Sequence, residues 1–167
     1  MKTVFGLFNA AAEANSFLGE IQMEGFSQDD ISVLGQDSVL TEARKHSHTA
    51  EDAGKGAGIG GILGLIAGIA PVALPGIGLV IGAGTLIAGV LGGAGLGSVV
   101  GGLVGFFRDH LGLGKDHATM YEEGIREGNI LLAVHTNTAD AAEAVEEAMT
   151  RHGAHDVYIQ ERVRTHA

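Results

Sequence analysis

The sequence predicts an α+β domain interrupted by an apolar helical hairpin, and three observations predict it. Strand and helix patterns recur in the order β-α-β on both sides of a central stretch. That stretch, Gly56 to Phe107, runs for 52 residues without Asp, Glu, Lys, Arg or His, and its only hydroxyl side chains are Thr85 and Ser98. Within it glycine recurs every fourth residue, at Gly56, Gly60, Gly64 and Gly68 and again at Gly89, Gly93, Gly97, Gly101 and Gly105. Positions four apart share one face of a helix. A bare glycine stripe lets a second backbone approach closely, the small-xxx-small packing of helices in lipid. Glycine costs a helix about 1 kcal/mol per residue relative to alanine in water. Lipid or a partner helix must offset that cost.

The chain opens with a short β-rich run, Thr3 to Phe8, ending at Asn9, a good helix N-cap. Ala10, Ala14, Phe17, Leu18 and Ile21 then share one helical face, and Gly25 closes the helix. Ile31 to Leu34 is a second strand, followed by a polar stretch from Gln36 to Asp52. A first helical arm, Thr49 to Ala70, has only 15 apolar residues from Gly56 onward, fewer than the ~20 of a full span. Pro71, Pro75 and Gly76 mark the turn of the hairpin, with residues 71–84 a non-helical or short-helical cap. Thr85 to Phe107 is a second arm of 23 residues, ~35 Å of helix.

Beyond the insertion the pattern resumes. Asp116 to Glu127 reads as an amphipathic helix stopped by Gly128. Asn129 to Thr136 is a strand apolar on both faces and therefore central. Asn137 or Thr138 caps a helix with Ala141, Ala144, Val145, Ala148 and Met149 inward, Gly153 stops it, and Asp156 to Gln160 is the last strand. Two β-α-β units make a ferredoxin-like split βαβ sheet, antiparallel, with both helices on one face. Residues 1–50 and 110–167 are expected to form this domain and 51–109 the glycine-zipper hairpin insertion. The strands at Thr3 and Asn129 should be central, with Ile31 to Leu34 and Asp156 to Gln160 at the edges.

The opening MKTVFGLFNAAAEA, the glycine zipper with its LPGIG break, and the trailing YEEGIREGNILLAVHT and RHGAHDV resemble the bacterial low-temperature-induced, general-stress-protein family. The resemblance covers essentially the whole chain. It implies a ferredoxin-like domain interrupted by an apolar hairpin and a link to stress response, with no family active site to carry over.

Composition narrows the partners. A formal charge of −10, from 20 acidic against 10 basic residues, disfavours nucleic acid. The absence of cysteine excludes disulfides and thiolate metal sites and fits an intracellular protein. The N-terminal segment lacks a long apolar core, so it is not a secretory signal.

Catalytic chemistry is thin. His46 and His48 precede the hairpin and His110 and His117 follow it, so a hairpin that closes its ends would bring four imidazoles together, a donor set for Zn, Cu or Ni. No H-x-x-x-H or H-E-x-x-H spacing supports a preformed site, and a solvated polar collar explains these residues as well. His152 and His155 flank a helix end, where a cation interacts well with the dipole. No phosphate loop or nucleophile elbow is present in the sequence, which points away from an enzyme and calls for no cofactor.

Three function classes follow. In the first, the hairpin enters a bilayer and holds a cytoplasmic domain at the inner face of a bacterial membrane, with lipid and copies of itself as partners. Arg44, Lys45 and Lys55 before the hairpin, and Arg108 and Lys115 after it, suit cytoplasmic flanks. In the second, a soluble homo-oligomeric shell buries the hairpins against one another in the cytoplasm. A third, weaker class is a regulatory module for a small ligand or metal. If the stripes carry association, Gly97→Leu or Gly64→Leu should weaken it by ~1 to 3 kcal/mol per site, as overpacking does. Off the stripe, Ile66→Ala and Leu103→Ala should matter less; equal shifts in sedimentation velocity at both kinds of site would show the spacing to be incidental.

Overall fold

The computed structural model describes residues 1–41, 71–74, 77–84, 102–109 and 111–161. Its elements are β1 (Lys2–Phe8), α1 (Ala11–Met23), β2 (Ile31–Gln36), β3 (Val72–Leu74), β4 (Gly78–Ala83), α2 (Gly102–Asp109), α3 (Lys115–Arg126), β5 (Ile130–Thr136), α4 (Ala139–Arg151) and β6 (His155–Glu161). A 3-10 turn at Gln28–Asp30 leads into β2. The α+β class is as the sequence predicts.

The six strands form one sheet in the order β3-β4-β2-β5-β1-β6, every neighbouring pair antiparallel. β1 and β5 lie side by side in the interior, in register from Lys2 opposite Thr136 to Phe8 opposite Ile130. Both are buried along almost their whole length, as strands apolar on both faces must be. β6 is an edge strand, as expected, but β2 is not. β4 pairs with its outer side, placing Val33 opposite Ala83 and Gln36 opposite Val80.

The strand that displaces β2 from the edge comes from the expected cap of the hairpin. Residues 78–83 read GLVIGA: an apolar run with β-branched Val80 and Ile81, bounded by Gly78 and Gly84 at φ +97° and +96°. At Gly84 the chain passes so close to β2 that a Cβ would lie 2.3 Å from the carbonyl oxygen of Ile31. Only glycine fits that approach and that dihedral. Within the expected cap, residues 72–74 and 78–83 are therefore strands β3 and β4, which extend the domain's sheet.

Helices cover both faces of the sheet. Phe17, Leu18 and Ile21 of α1 and Val145, Ala148 and Met149 of α4 pack on Val4, Phe8, Val33, Leu132 and Val134. On the opposite face, α2 and α3 bring Leu103, Phe106, Phe107, Tyr121 and Ile125 against Phe5, Leu7, Leu34 and Leu131. This second layer has no counterpart in the expected single helical face. Gly124 lets α3 settle on the sheet, since a Cβ there would lie 2.5 Å from Leu7.

The helix ends follow their sequence signals closely. α1, α3 and α4 each close with a paired hydrogen-bond motif, the bonds Phe26 N–H to Ile21 C=O, Asn129 N–H to Gly124 C=O and Ala154 N–H to Met149 C=O marking the three ends. Thr138 caps α4 by accepting from the Ala141 amide at 3.1 Å. Two details differ. Ala10, not Asn9, occupies the N-cap of α1 without a side-chain bond, and on α4 Ala142 is buried where Ala144 is exposed.

Leu103 is completely buried, so Leu103→Ala probes the core and no longer serves as an off-stripe control. Phe107→Ala should cost about 3 to 5 kcal/mol, the usual penalty for emptying a buried phenylalanine site. Leu79→Ala, at a side chain 51% exposed, should cost far less. Urea midpoints of the two variants measure the difference.

Candidate functional site

The chemically distinctive part of the chain is the charge-free stretch, and the domain holds it at identifiable places. Before it, residues 37–41 form a helical turn. Leu40 in that turn is fully buried and lies against Gly35 of β2. The Gln36 side-chain amide donates to the carbonyls of Ile125 and Arg126, each at 2.8 Å, tying the end of β2 to the end of α3. In its middle, Val80, Ile81 and Ala83 of β4 are buried.

The grip on the far end is the most elaborate. Phe106 and Phe107 of α2 are buried, and the Phe107 ring meets Tyr121 edge-on at a centroid distance of 6.3 Å, which favours the aromatic quadrupoles. Tyr121 also lies 5.9 Å from Phe5, and its hydroxyl donates to the Asp156 carbonyl at 2.8 Å. Burial pushes the Tyr121 phenol well above its ordinary value, with the nearby Asp156 and Tyr158 adding to the shift. It stays a neutral hydrogen-bond donor. The next residue, Glu122, accepts from the Val104 amide in the first turn of α2 at 3.0 Å and from Arg126 at 2.7 Å. A carboxylate at a helix N-terminus satisfies free amides and complements the dipole.

The expected site residues are placed as follows. Gly105 lies in α2, partly buried, and Pro71 is exposed immediately before β3. Gly56, Gly60, Gly64, Gly68, Gly89, Gly93, Gly97, Gly101, Pro75, Gly76, His46, His48 and His110 lie outside the described residues. Of the four candidate histidines, His117 alone is described. It stacks on Tyr158 at 3.9 Å, a packing role on the α3 side of the sheet. Among the described residues no three His, Cys, Asp or Glu side chains are placed to hold a metal ion, and no helix is long and apolar enough to cross a membrane.

Sequence reasoning missed Glu122 and Tyr121 as anchors. Their signal is the pairing of an aromatic and a carboxylate on the inward side of one amphipathic helix, which becomes meaningful only once α2 is known to lie beside α3.

A second polar cluster joins α1 to α4. Glu20 receives hydrogen bonds from both Arg151 and His152, and the His152 ring meets Phe17 edge-on. The His152 hydrogen bond, with help from Arg151, holds the Glu20 carboxyl below its ordinary value of 4.5. Nearby, a Cβ at Gly153 would lie 3.1 Å from the Glu13 carboxyl carbon. On the rim above α4, Glu24, Asp30, His135 and Asn137 line a shallow cavity of about 260 Å³.

A carboxylate whose folded-state pKa is depressed adds stability above its unfolded value and loses it as pH falls through the folded value. Glu20→Gln should therefore lower the urea midpoint at pH 7, and the gap from the parent should close as the pH is taken well below 4.5. A gap that persists unchanged at pH 3 would show that the carboxylate charge is not what Glu20 contributes. Comparison with protein-family models, with curated proteins and with solved structures returned no match to this chain.

Proposed function

We propose that this chain is a non-enzymatic, stress-related protein in which a ferredoxin-like domain mounts a glycine-striped apolar segment for self-association, for contact with membrane lipid, or for both. The observation that carries the reading is mechanical. The domain grips the charge-free stretch in its middle, through β4 on β2, and at its end, through α2 on α3. An apolar segment held at two points by a folded domain is presented by that domain, whereas a flexible linker has no need of such anchorage.

The ferredoxin-like description is supported by the run β2-β5-β1-β6 within the larger sheet and by α1 and α4 lying together on one face. The stress link rests on the sequence resemblance alone. Exposed Arg108 at the end of α2 gives the stretch a cationic boundary of the kind that cytoplasmic flanks carry. A soluble homo-oligomer that buries the stripes is the second reading. It is favoured by β3 and β4, which keep the centre of the stretch on the sheet and leave two shorter apolar lengths.

Fractionation without detergent separates the two. Material that sediments with membranes and resists carbonate extraction supports lipid contact, and a discrete large species in the soluble fraction supports the oligomer. A monodisperse monomer in the soluble fraction would overturn both.

A further inference from the structure

Among the described residues the sheet ends at β3 on one side and at β6 on the other. An edge strand leaves a row of backbone N–H and C=O groups without a ladder partner, and proteins blunt such edges with short strands, proline, lysine or a bulge. β3 is blunted by its length of three residues. β6 is seven residues long, reads HDVYIQE, and contains neither proline nor lysine. Its ladder to β1 shifts between Phe5 and Leu7, near the start of β6 where Asp156 has φ +52°, and is regular from Tyr158 to Glu161. The bulge therefore distorts one end of the strand and leaves the rest able to pair. The middle of β6 is also where both cores run out. Val157 and Ile159 pack at the margin of the α1 and α4 core, Tyr158 at the margin of the α2 and α3 core, and all three side chains stay partly exposed.

We propose that β6 pairs antiparallel with β6 of a second copy of this chain about a two-fold axis at Tyr158, joining two six-stranded sheets into one continuous sheet. What commits the edge to a copy of itself is the order of polarity along it. A two-fold interface brings the same surface together twice, so the strand must match its own reversed sequence. With the axis at Tyr158, Val157 of one copy lies opposite Ile159 of the other, Asp156 opposite Gln160 and His155 opposite Glu161: apolar meets apolar and polar meets polar at every position. An axis at Ile159 would set Val157 against Glu161 and Tyr158 against Gln160, and an axis at Val157 would set Ile159 against His155 and Tyr158 against Asp156. Pairing at Tyr158 gathers the Val157 and Ile159 side chains of both copies on one face and two tyrosines on the other, cross-strand neighbours of the kind that stabilise antiparallel sheets. The contact uses no residue of the apolar stretch, so the domain has a means of self-association of its own, beyond the one proposed above.

The experiment uses the full chain. It has no cysteine, so single cysteines at Val157, Tyr158 and Ile159 report the register under mild oxidation. Directly opposed residues have Cα atoms about 4.5 to 5.5 Å apart, within the ~4.4 to 6.8 Å that a disulfide spans. Position 158 opposes itself, whereas two copies of position 157, or of position 159, are diagonal neighbours about 7 to 8 Å apart and too distant to bridge. Tyr158→Cys should therefore form a disulfide-linked dimer about tenfold faster than Val157→Cys or Ile159→Cys. Adding Ile159→Lys, which places a lysine on the edge, should bring the Tyr158→Cys rate down to that of the other two. Tyr158 also stacks on His117, so a second measurement keeps it in place: Val157→Cys and Ile159→Cys proteins, mixed, should crosslink to each other in preference to themselves. Circular dichroism checks that each variant remains folded.

Equal crosslinking at all three positions, or crosslinking strongest at 157 or 159 alone, would overturn the pairing, as would a mixture that shows no preference for the 157 to 159 bridge. A chain that forms a large soluble species or sediments with membranes, yet shows neither bridge, would overturn the pairing at β6 and leave the role of the apolar stretch standing.

Discussion

The antiparallel ladder between β1 and β5 is the constraint on which the rest of the fold depends. Its seven-residue register, from Lys2 opposite Thr136 to Phe8 opposite Ile130, fixes which side chains point to which face. Val4 and Phe8 are thereby committed to α1 and α4, and Phe5 and Leu7 to α2 and α3. A slip of one residue would exchange the two sets. Because both faces are covered, neither set has a solvent-facing alternative, and the register is specified twice. Polar contacts at the margins, Thr3 with His135 at 3.1 Å on this ladder and Lys2 with Glu161 at 2.8 Å across to β6, add little to a choice already made by burial.

Much of this was legible in the sequence because the governing signals are local. Gly25, Gly128 and Gly153 stand where the helices stop, Thr138 where one begins, and the apolar continuity of Ile130 to Val134 marks a buried strand. What the sequence concealed was the affiliation of residues 78–83 and 102–107. Both lie in a stretch whose lack of charge and regular glycine spacing suggest a single element, and hydrophobicity does not distinguish burial against a domain from burial in lipid. Gly78 and Gly84, as strand boundaries, look no different from the glycines of the stripe until their dihedrals are known. The same ambiguity hid Phe106 and Phe107, which read as the end of an arm and prove to be part of a core. The anchoring contact of Glu122 is purely tertiary: the Val104 amide it accepts from lies 18 residues away on a different helix.

The two faces of the sheet are built differently. The α1 and α4 side is closed by two 13-residue helices and a polar lock of Glu20 with Arg151 and His152. The α2 and α3 side relies on an eight-residue helix whose hold is two phenylalanines and one carboxylate. Helices that short are marginal without tertiary contacts, so the stability of α2 is lent to it by α3. Local opening in such a domain begins where the fewest contacts must be given up, which places it on the side adjoining the apolar stretch.

The long sequence separation of β1 from β5 also sets an order of events during synthesis. Residues 56–107 leave the ribosome before β5 exists, and so before β1 has its central neighbour. At ~5 to 20 residues per second, the interval from Phe107 to Thr136 is on the order of 1.5 to 6 seconds. Throughout it an uncharged, glycine-rich segment belongs to a nascent chain in which β2 is not yet joined to β1 through β5 and α2 has no complete α3 to pack on. Whatever first meets that segment, be it lipid, a chaperone or a neighbouring nascent chain, does so in competition with a docking surface that has not yet been made.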